Sequence, residues 1–285
     1  MNHQKVRLAP GLYFVATPIG TARDITLRAL DVLASADVIA AEDTRSLRRL
    51  IEIHGVPLAG RRILSYHDHS GDEARKRLLG ALEEGRSVAY ASEAGMPLIS
   101  DPGYDLSRDA GEAGYLVTAA PGASAVLTAL TLAGLPTDAF FFAGFLPNAT
   151  GARCARLEEL RSVPGTLVFY ESPKRVAASL ADMAATLGAD RSAALCRELT
   201  KKFEEVRRGN LGELAEALRL EKVKGEIVLV VDRARSEAVN ESDVEEDLRT
   251  ALKEHSVKDA ADLVSRTHDI PRRRVYQMAL KLTKS

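Results

Sequence analysis

The alternation of short apolar runs with longer amphipathic stretches constrains the fold of this chain more than any other feature. In the first half, each apolar run has the character of a buried strand, and the stretch after it has the character of a helix. Strands are predicted at 11–16, 38–41, 63–65, 88–91 and 116–119, and helices at 25–34, 44–54, 72–84 and 101–113. This order is typical of βαβ units and predicts a largely parallel sheet covered by helices on both faces.

A second α/β unit is predicted after the segment 134–138, which is interpreted as a hinge. Its strands are predicted at 140–145, 166–170, 193–197, 204–208 and 227–232, with helices at 150–161, 173–187 and 211–218. Beyond it the sequence has no strand signal and predicts three short helices, of which 258–267 and 271–282 resemble a helix-turn-helix. We therefore predict two α/β domains, residues 1–136 and 137–236, and a helical appendage, residues 237–285.

The composition excludes several classes of protein. The 285 residues are 46% hydrophobic and 28% charged, as in an ordinary globular protein. No apolar stretch approaches the roughly 20 residues that span a bilayer, and no secretory signal is recognised, so a cytoplasmic location is expected. Cys154 and Cys196 are too few for a disulfide framework or a zinc site, and His67 and His69 lack a third ligand nearby. No metal is therefore expected.

The formal net charge of −1 gives the chain no overall attraction for nucleic acid. An RNA substrate would need a local basic face that neutralises phosphates. The candidate residues for such a face are Arg45, Arg48, Arg49, Arg272, Arg273 and Arg274. Solvated helix faces explain both clusters equally well, and the sequence leaves the two interpretations open.

The sequence lacks the common nucleotide-binding fingerprints. None of its 20 glycines forms a Gly-x-Gly pair, and no Gly-Lys-Ser or Gly-Lys-Thr occurs. Instead, turn-rich segments follow predicted strands at their C-terminal ends, where open α/β sheets bind ligands. These segments are 17–20 (TPIG), 42–45 (EDTR), 92–97 (SEAGMP), 121–125 (PGASA) and 171–173 (ESP). Their small residues allow a backbone to approach a ligand closely, and their prolines fix the shape of the turns.

In this order the segments resemble the tetrapyrrole methylase superfamily and, within it, the RsmI-type 16S ribosomal RNA ribose methyltransferases. The resemblance runs from Gly11 through Val231 and continues into the C-terminal helices. Its most specific stretches are 11–20, 24–30 (DITLRAL), 41–45, 97–104, 144–147 (GFLP) and 197–201 (RELTK). The sequence departs from the family pattern at Glu93 and Met96, where the family usually has Asp and Thr, and at 21–22 and Ala123.

The resemblance implies two α/β domains with a cleft for S-adenosylmethionine between them, in a homodimer. It also implies a 16S ribosomal RNA substrate in the small ribosomal subunit, methylated on the 2′-oxygen of a cytidine in the decoding region. The cofactor contacts it implies are Thr17, Pro18, Glu93, Ala94, Gly95, Met96, Pro97, Ser124, Ala125, Tyr170, Cys196 and Glu226.

A ribose hydroxyl is a poor nucleophile until its proton is removed or its developing charge is stabilised. The candidates for this catalytic task are Glu42, Asp43, Arg45 and Lys201. Lys201 would act as a base if burial lowered its pKa, or as a cation if it stayed charged. Arg45 equally suits a phosphate contact. The structural alternative is that Asp43 caps a helix that starts at Thr44, and that Cys196 is only a buried apolar contact.

Two other functions stay open at this level. The same fold methylates small molecules such as tetrapyrrole precursors, and fold alone does not determine the substrate. A non-catalytic RNA-binding or ribosome-assembly protein with an inherited cleft is the second alternative. A test of S-adenosylmethionine binding distinguishes the two methyltransferase functions from the non-catalytic one.

Overall fold

The computed structural model describes residues 2–67, 71–100, 102–234, 241–268 and 272–283. His69 and the predicted helix starts at Asp101 and Pro271 lie outside these residues. The chain forms two compact units, one of residues 1–161 and 165–232 and the other of residues 162–164 and 233–285. In the described part of the chain, no helix is long and apolar enough to cross a membrane.

The first sheet has five strands in the order β3-β2-β4-β1-β5, and every neighbouring pair is parallel. The parallel sheet predicted from the alternating pattern is therefore confirmed. Its strands are β1 (Gly11–Val15), β2 (Val38–Ala41), β3 (Ile63–Ser65), β4 (Ser87–Ala91) and β5 (Val117–Ala120). The helices between them are α1 (Leu27–Ser35), α2 (Thr44–Ile53), α3 (Gly71–Glu83) and α4 (Tyr104–Glu112).

Helices cover both faces of this sheet, and β1 and β4 are buried along their whole length, which explains their continuous apolar runs. On one face Leu33 of α1 and Leu47 of α2 pack in the core, and on the other face Leu78 of α3 and Leu106 of α4 do so. Helix α1 begins two residues later than predicted, because the Thr26 hydroxyl accepts a hydrogen bond from the Ala29 amide and caps the helix at Leu27.

The second sheet is mixed, in the order β6-β7-β10-β8-β9. Only β6 and β7 run parallel, and the other neighbours are antiparallel. The strands are β6 (Phe140–Phe145), β7 (Thr166–Glu171), β8 (Ser192–Arg197), β9 (Glu205–Asn210) and β10 (Ile227–Val231). The helices that accompany them are α6 (Thr150–Leu160), α7 (Val176–Leu187) and α8 (Leu211–Leu218). The predicted strands are confirmed, but apolar runs carry no information on strand direction.

Helix α5 (Ala125–Ala133) was not predicted, although it lies in the longest apolar run of the sequence. The Ser124 hydroxyl accepts a hydrogen bond from the Leu127 amide at its start, and Gly134, with φ +73°, ends it. Its Leu130 packs on Val168 and Val230 of the second sheet. A helix that follows the last strand of the first sheet thus covers the second sheet and ties the two halves together.

The described residues of the C-terminal unit include three helices, α9 (Glu241–Ala251), α10 (Val257–Thr267) and α11 (Arg272–Leu282). They share a core of their own, in which Leu248, Ala260, Val264 and Val275 are buried. Ser256 caps α10 by accepting a hydrogen bond from the Asp259 amide. The predicted helical appendage is therefore confirmed, and the exact domain limits at 136 and 236 stay a prediction.

Candidate active site

A cavity of about 430 Å³ lies at the C-terminal ends of β1, β4, β6, β7 and β8 and at the start of β10. Strand ends of this kind are where open α/β sheets bind ligands. The residues that line it are Ile19, Glu93, Ala94, Gly95, Met96, Ile99, Ser100, Ser124, Ala125, Phe145, Tyr170, Glu171, Ser172, Pro173, Leu199, Gly225, Glu226, Ile227 and Val228.

The loop after β4 forms one wall of the cavity, and Thr17 fixes its shape from behind. The amide of Thr17 donates to the carbonyl of Gly95 and the amide of Gly95 donates to the carbonyl of Thr17, both over 3.0 Å. The buried Thr17 hydroxyl donates to the carbonyls of Ser92 (3.2 Å) and Glu93 (3.1 Å). Gly95 adopts φ +81°, a conformation that favours glycine. Thr17 therefore supports the wall without lining the cavity.

Carboxylates gather at one edge of this wall. The Glu42 carboxylate accepts a hydrogen bond from the Glu93 amide (2.9 Å). Burial raises the pKa of Glu93, and the negative charges of Asp43, Glu42 and Glu226 raise it further. Asp43 behaves differently, because the Ser46 and Arg45 amides donate to its carboxylate and lower its pKa. The structure thus confirms Asp43 as the cap of α2.

Lys201 lies on the opposite loop, after β8, between two carboxylates. Its ammonium donates to Glu198 Oε1 (2.9 Å) and to Glu226 Oε2 (3.0 Å). Burial acts to lower the pKa of Lys201, but these hydrogen bonds and charges outweigh it and the pKa is raised. Glu198 also accepts from the Glu226 amide (3.0 Å) and adopts φ +51°. An added Cβ at Gly225 would collide with the Glu198 carboxylate, so this packing requires glycine.

The turn after β1 contacts the Lys201 loop directly. The Thr21 hydroxyl donates to the Thr200 carbonyl (2.5 Å), and the Thr21 amide donates to the Thr200 hydroxyl (3.2 Å). A Cβ at Gly20 would lie 2.6 Å from Lys201 Cγ, so only glycine permits this approach. The ends of strands from both sheets are thereby held together around the cavity.

Most of the predicted cofactor contacts line the cavity, namely Glu93, Ala94, Gly95, Met96, Ser124, Ala125, Tyr170 and Glu226. Thr17 and Pro97 are buried, and Pro18 is half-buried; these three are not among the lining residues. Cys196 lies in the core beneath α5, where burial raises the pKa of its thiol to about 11. It therefore packs as an apolar residue in this structure.

Several lining residues were not among the predicted site residues. Ile19, Leu199, Ile227 and Val228 form an apolar floor, and each of them is nearly fully buried. Apolar residues next to strand ends look the same in sequence whether they face a core or a ligand. Phe145 belongs to the GFLP stretch that carried the family resemblance, which was the one available signal for it.

Three of the four predicted catalytic residues border the cavity, with Glu42 and Asp43 beside Glu93 and with Lys201 beside Glu226. Arg45 points to solvent with 92% of its side chain exposed, and its guanidinium lies 3.4 Å from the Asp43 carboxylate. The other predicted basic residues are also exposed, Arg48 and Arg49 on α2 and Arg272, Arg273 and Arg274 on α11. Of these, Arg272 pairs with Asp262.

Two family models match the chain. Residues 11–215 match the one described as Tetrapyrrole (Corrin/Porphyrin) Methylases. Residues 238–283 match the one described as RsmI C-terminal HTH domain. Together they account for both α/β halves up to α8 and for the three C-terminal helices.

Curated proteins are similar over nearly the whole chain. One is "Ribosomal RNA small subunit methyltransferase I" of Mesorhizobium japonicum, 47% identical over 276 residues, covering 96% of this chain and 93% of that protein. Proteins of the same name from Escherichia coli O157:H7 and Bacillus subtilis are 41% and 38% identical. The match to the Escherichia coli protein covers 98% of both chains, and the match to the Bacillus subtilis protein covers 93% of this chain and 92% of that protein.

Solved structures share the fold at low identity. A diphthine synthase superposes with a TM-score of 0.60 at 17% identity, covering 78% of this chain and 89% of that chain. A cobalamin biosynthetic enzyme, cobalt precorrin-4 methyltransferase, superposes with a TM-score of 0.59 at 17% identity, covering 78% and 94%. These likenesses establish the arrangement of the two sheets and do not bear on the substrate.

Proposed function

The chain belongs to the tetrapyrrole methylase family, in its ribosomal RNA small subunit methyltransferase I branch, and we propose on this basis a specific reaction. It is the transfer of a methyl group from S-adenosylmethionine to the ribose 2′-oxygen of a cytidine in the decoding region of 16S ribosomal RNA. The observation that carries the proposal is the cavity, which combines an apolar floor with carboxylates at its edge and a lysine held between two of them.

The lining of the cavity suits S-adenosylmethionine. The buried floor of Ile19, Leu199, Ile227 and Val228 would pack against an adenosyl group. Glu93 and Glu226 would accept hydrogen bonds from hydroxyl groups and pair with cationic ones. When bound, S-adenosylmethionine supplies an electrophilic methyl group on a positively charged sulfur.

Charge at the site favours a role for Lys201 as a cation. Because its pKa is raised, the ammonium stays protonated near pH 7 and stabilises negative charge that develops on the attacking 2′-oxygen. Glu198 and Glu226 hold the ammonium in place. Glu42 positions the Glu93 backbone and Asp43 caps α2, so both carboxylates support the site's shape. Cavity walls that hold the reacting groups in line contribute ~7–11 kcal/mol to such reactions.

RNA binding is assigned to the exposed arginines. Arg45, Arg48 and Arg49 lie on α2, directly after the turn that carries Glu42, so RNA phosphates bound there would lie beside the cavity. Arg272, Arg273 and Arg274 lie on α11, within the segment that matches the helix-turn-helix family model. Arginines recognise phosphates through paired N–H donors, which agrees with their use at both places.

The working state that we propose is a cytoplasmic homodimer. A ribosomal RNA substrate is encountered in the cytoplasm. Phe140 and Phe141 lie on β6, at the edge of the second sheet, and are 45% and 39% exposed. An exposed apolar edge strand is a surface that a second copy can cover. We therefore propose that the dimer interface lies along the edge that β6 forms.

The test is to incubate the purified protein with tritiated S-adenosylmethionine and small ribosomal subunits that lack the modification. The label is then mapped, and the labelled position is examined for resistance to alkaline cleavage, which a methylated 2′-oxygen confers. A single labelled and resistant cytidine in the decoding region is the expected result. Small subunits that already carry the modification serve as the control and should accept no label.

Two other results would replace the proposal. Binding of S-adenosylmethionine without any incorporation into ribosomal RNA would favour methylation of a small molecule. No binding of S-adenosylmethionine, measured by calorimetry on the same preparation, would favour a non-catalytic RNA-binding protein. In that case Glu93→Ala should leave its cellular role intact.

A further inference from the structure

A β-bulge near the end of β6 changes which residues face the cavity. Phe142 pairs with Val168 and Phe145 pairs with Tyr170, although Phe145 lies three positions after Phe142 and Tyr170 lies only two positions after Val168. The register shifts between Phe142 and Gly144, and Gly144 adopts φ +66°, the left-handed conformation that glycine takes in one class of β-bulge. In an unbroken strand, Phe142 and Phe145 would point to opposite faces, because side chains alternate.

The bulge therefore brings Phe145 onto the face that Phe142 and Tyr170 share. The three rings form a chain, in which Tyr170 lies edge-on to Phe142 (4.8 Å between ring centroids) and to Phe145 (5.6 Å). Tyr170 and Phe145 both line the cavity. The ring of Phe145 is thus held by aromatic contacts on one side and reaches the cavity on another.

The exposure of Phe145 differs from that of the apolar floor of the cavity. Phe145 is 56% exposed, whereas Ile227 and Leu199 in the floor are 2% and 6% exposed. Its neighbour in the lining, Ile99, is 41% exposed. An enclosed apolar floor suits a ligand that is held throughout the reaction. An exposed aromatic ring at the mouth suits a planar group that enters from outside.

We propose that Phe145 is a stacking platform for the base of the nucleotide whose ribose is methylated. The inference rests on the proposed function, because it requires an RNA nucleotide to enter the cavity. A ribose inside a folded RNA reaches an enclosed site only when its nucleotide leaves the stack, and the unstacked base then needs a new partner. The face of an aromatic side chain provides that partner without regard to base identity.

The experiment compares Phe145→Ala, Phe145→Tyr and the control Tyr104→Leu in the full chain. Tyr104 is an exposed aromatic residue, 68% accessible on α4, that does not line the cavity. Two quantities are measured for each protein: the Kd for S-adenosylmethionine by calorimetry, and kcat/KM for methylation of unmodified small subunits. We expect Phe145→Ala to lower kcat/KM by about 5- to 100-fold with an unchanged Kd, since stacking on one side chain contributes this much.

Phe145→Tyr should retain most of the activity because it keeps the ring, and Tyr104→Leu should match the unaltered protein. If an increase in the Kd for S-adenosylmethionine accounts for the whole loss of kcat/KM in Phe145→Ala, the assignment is overturned. The Phe145 ring would then contact the adenine of the cofactor instead of the base of the RNA. Full activity of Phe145→Ala would overturn it as well. If the unaltered protein methylates no ribosomal RNA, the proposed function itself has failed, which is a separate result.

Discussion

The contacts that hold the Lys201 side chain in place also determine its charge. Two carboxylates hold its ammonium beside the cavity, and Gly20 makes room for the Lys201 side chain while Gly225 makes room for the Glu198 side chain. The sequence alone allows two roles for Lys201, as a base or as a cation. The raised pKa favours the cation, because removing the proton would leave Glu198 and Glu226 facing each other without a positive charge between them.

We predict that Lys201→Met slows methyl transfer by about 100-fold or more at saturating S-adenosylmethionine, since it removes charge stabilisation at the reacting oxygen. Lys201→Arg should retain a measurable part of the rate. The measurement is a single-turnover rate with excess enzyme. Lys202→Met is the matched control, because the adjacent Lys202 is exposed and lies over the ring of Phe203. An equal loss in the control would contradict the role of Lys201.

Glu93 gives a pH-dependent prediction for stability. Its folded-state pKa is raised above the unfolded value, so ionised Glu93 destabilises the fold, and the cost appears as pH rises through the folded pKa. Below the unfolded pKa of about 4.3 the cost is absent. Glu93→Gln should therefore raise the free energy of unfolding near pH 7 by a few tenths of a kcal/mol, because water screens an exposed carboxylate. The gain should vanish near pH 4.

Urea unfolding of the cofactor-free protein at the two pH values provides the measurement. Glu42→Gln is less suitable as a control, because the Glu42 carboxylate accepts the Glu93 amide. Glu83→Gln is preferable, since Glu83 is exposed at the end of α3 and does not line the cavity. A gain of equal size at both pH values would show that the ionisation of Glu93 is not its cause.

At the scale of elements, the register shift in β6 depends on one glycine, Gly144. Gly144→Ala should lower the free energy of unfolding by about 1–2 kcal/mol, because a side chain is strained at φ +66°. Gly80→Ala should raise it by about 0.5–1 kcal/mol, since Gly80 lies within α3 with open space around it. Thermal unfolding of both variants tests the pair. A stability gain in Gly144→Ala would contradict the bulge as the reason for glycine.

The elements also show where sequence reasoning reached its limit. Strands β1 and β4 were predictable because a parallel sheet covered on both faces buries every residue of its central strands. Helix α5 was missed because it is apolar on nearly all sides, so its sequence has no amphipathic period to detect. The bulge in β6 and the antiparallel order of the second sheet depend on partners distant in sequence. Glu42 and Glu226 come near Glu93 for the same reason. The segments after the predicted strands pointed to Glu42 and Glu93, and only the family resemblance pointed to Glu226.

At the scale of the whole molecule, the proposed dimer depends on the edge of the second sheet. Phe141→Lys should place a charge in the interface and shift the protein to a monomer. Sedimentation velocity at about 10 µM protein tests this shift, since dissociation constants for interfaces of standard size range from about micromolar to picomolar. Leu220→Lys is the control, because Leu220 is 87% exposed and lies after α8, away from β6. A monomeric unaltered protein would contradict the dimer.

The net charge of −1 has a consequence for RNA binding that only the whole molecule shows. Because the chain as a whole does not attract phosphates, each arginine that contacts RNA should contribute separately to the salt dependence of binding.

Arg273→Gln, on the exposed face of α11, should weaken binding to small subunits and reduce the slope of log K against log salt by about 0.7–0.9. Arg249→Gln, on α9 of the same unit, should leave the slope unchanged, because Arg249 lies near Glu245 (3.8 Å). Filter binding between low and moderate salt measures both slopes. Equal slopes for Arg273→Gln and the unaltered protein would contradict RNA binding by α11. The proposed RNA-binding surface would then consist of the arginines of α2.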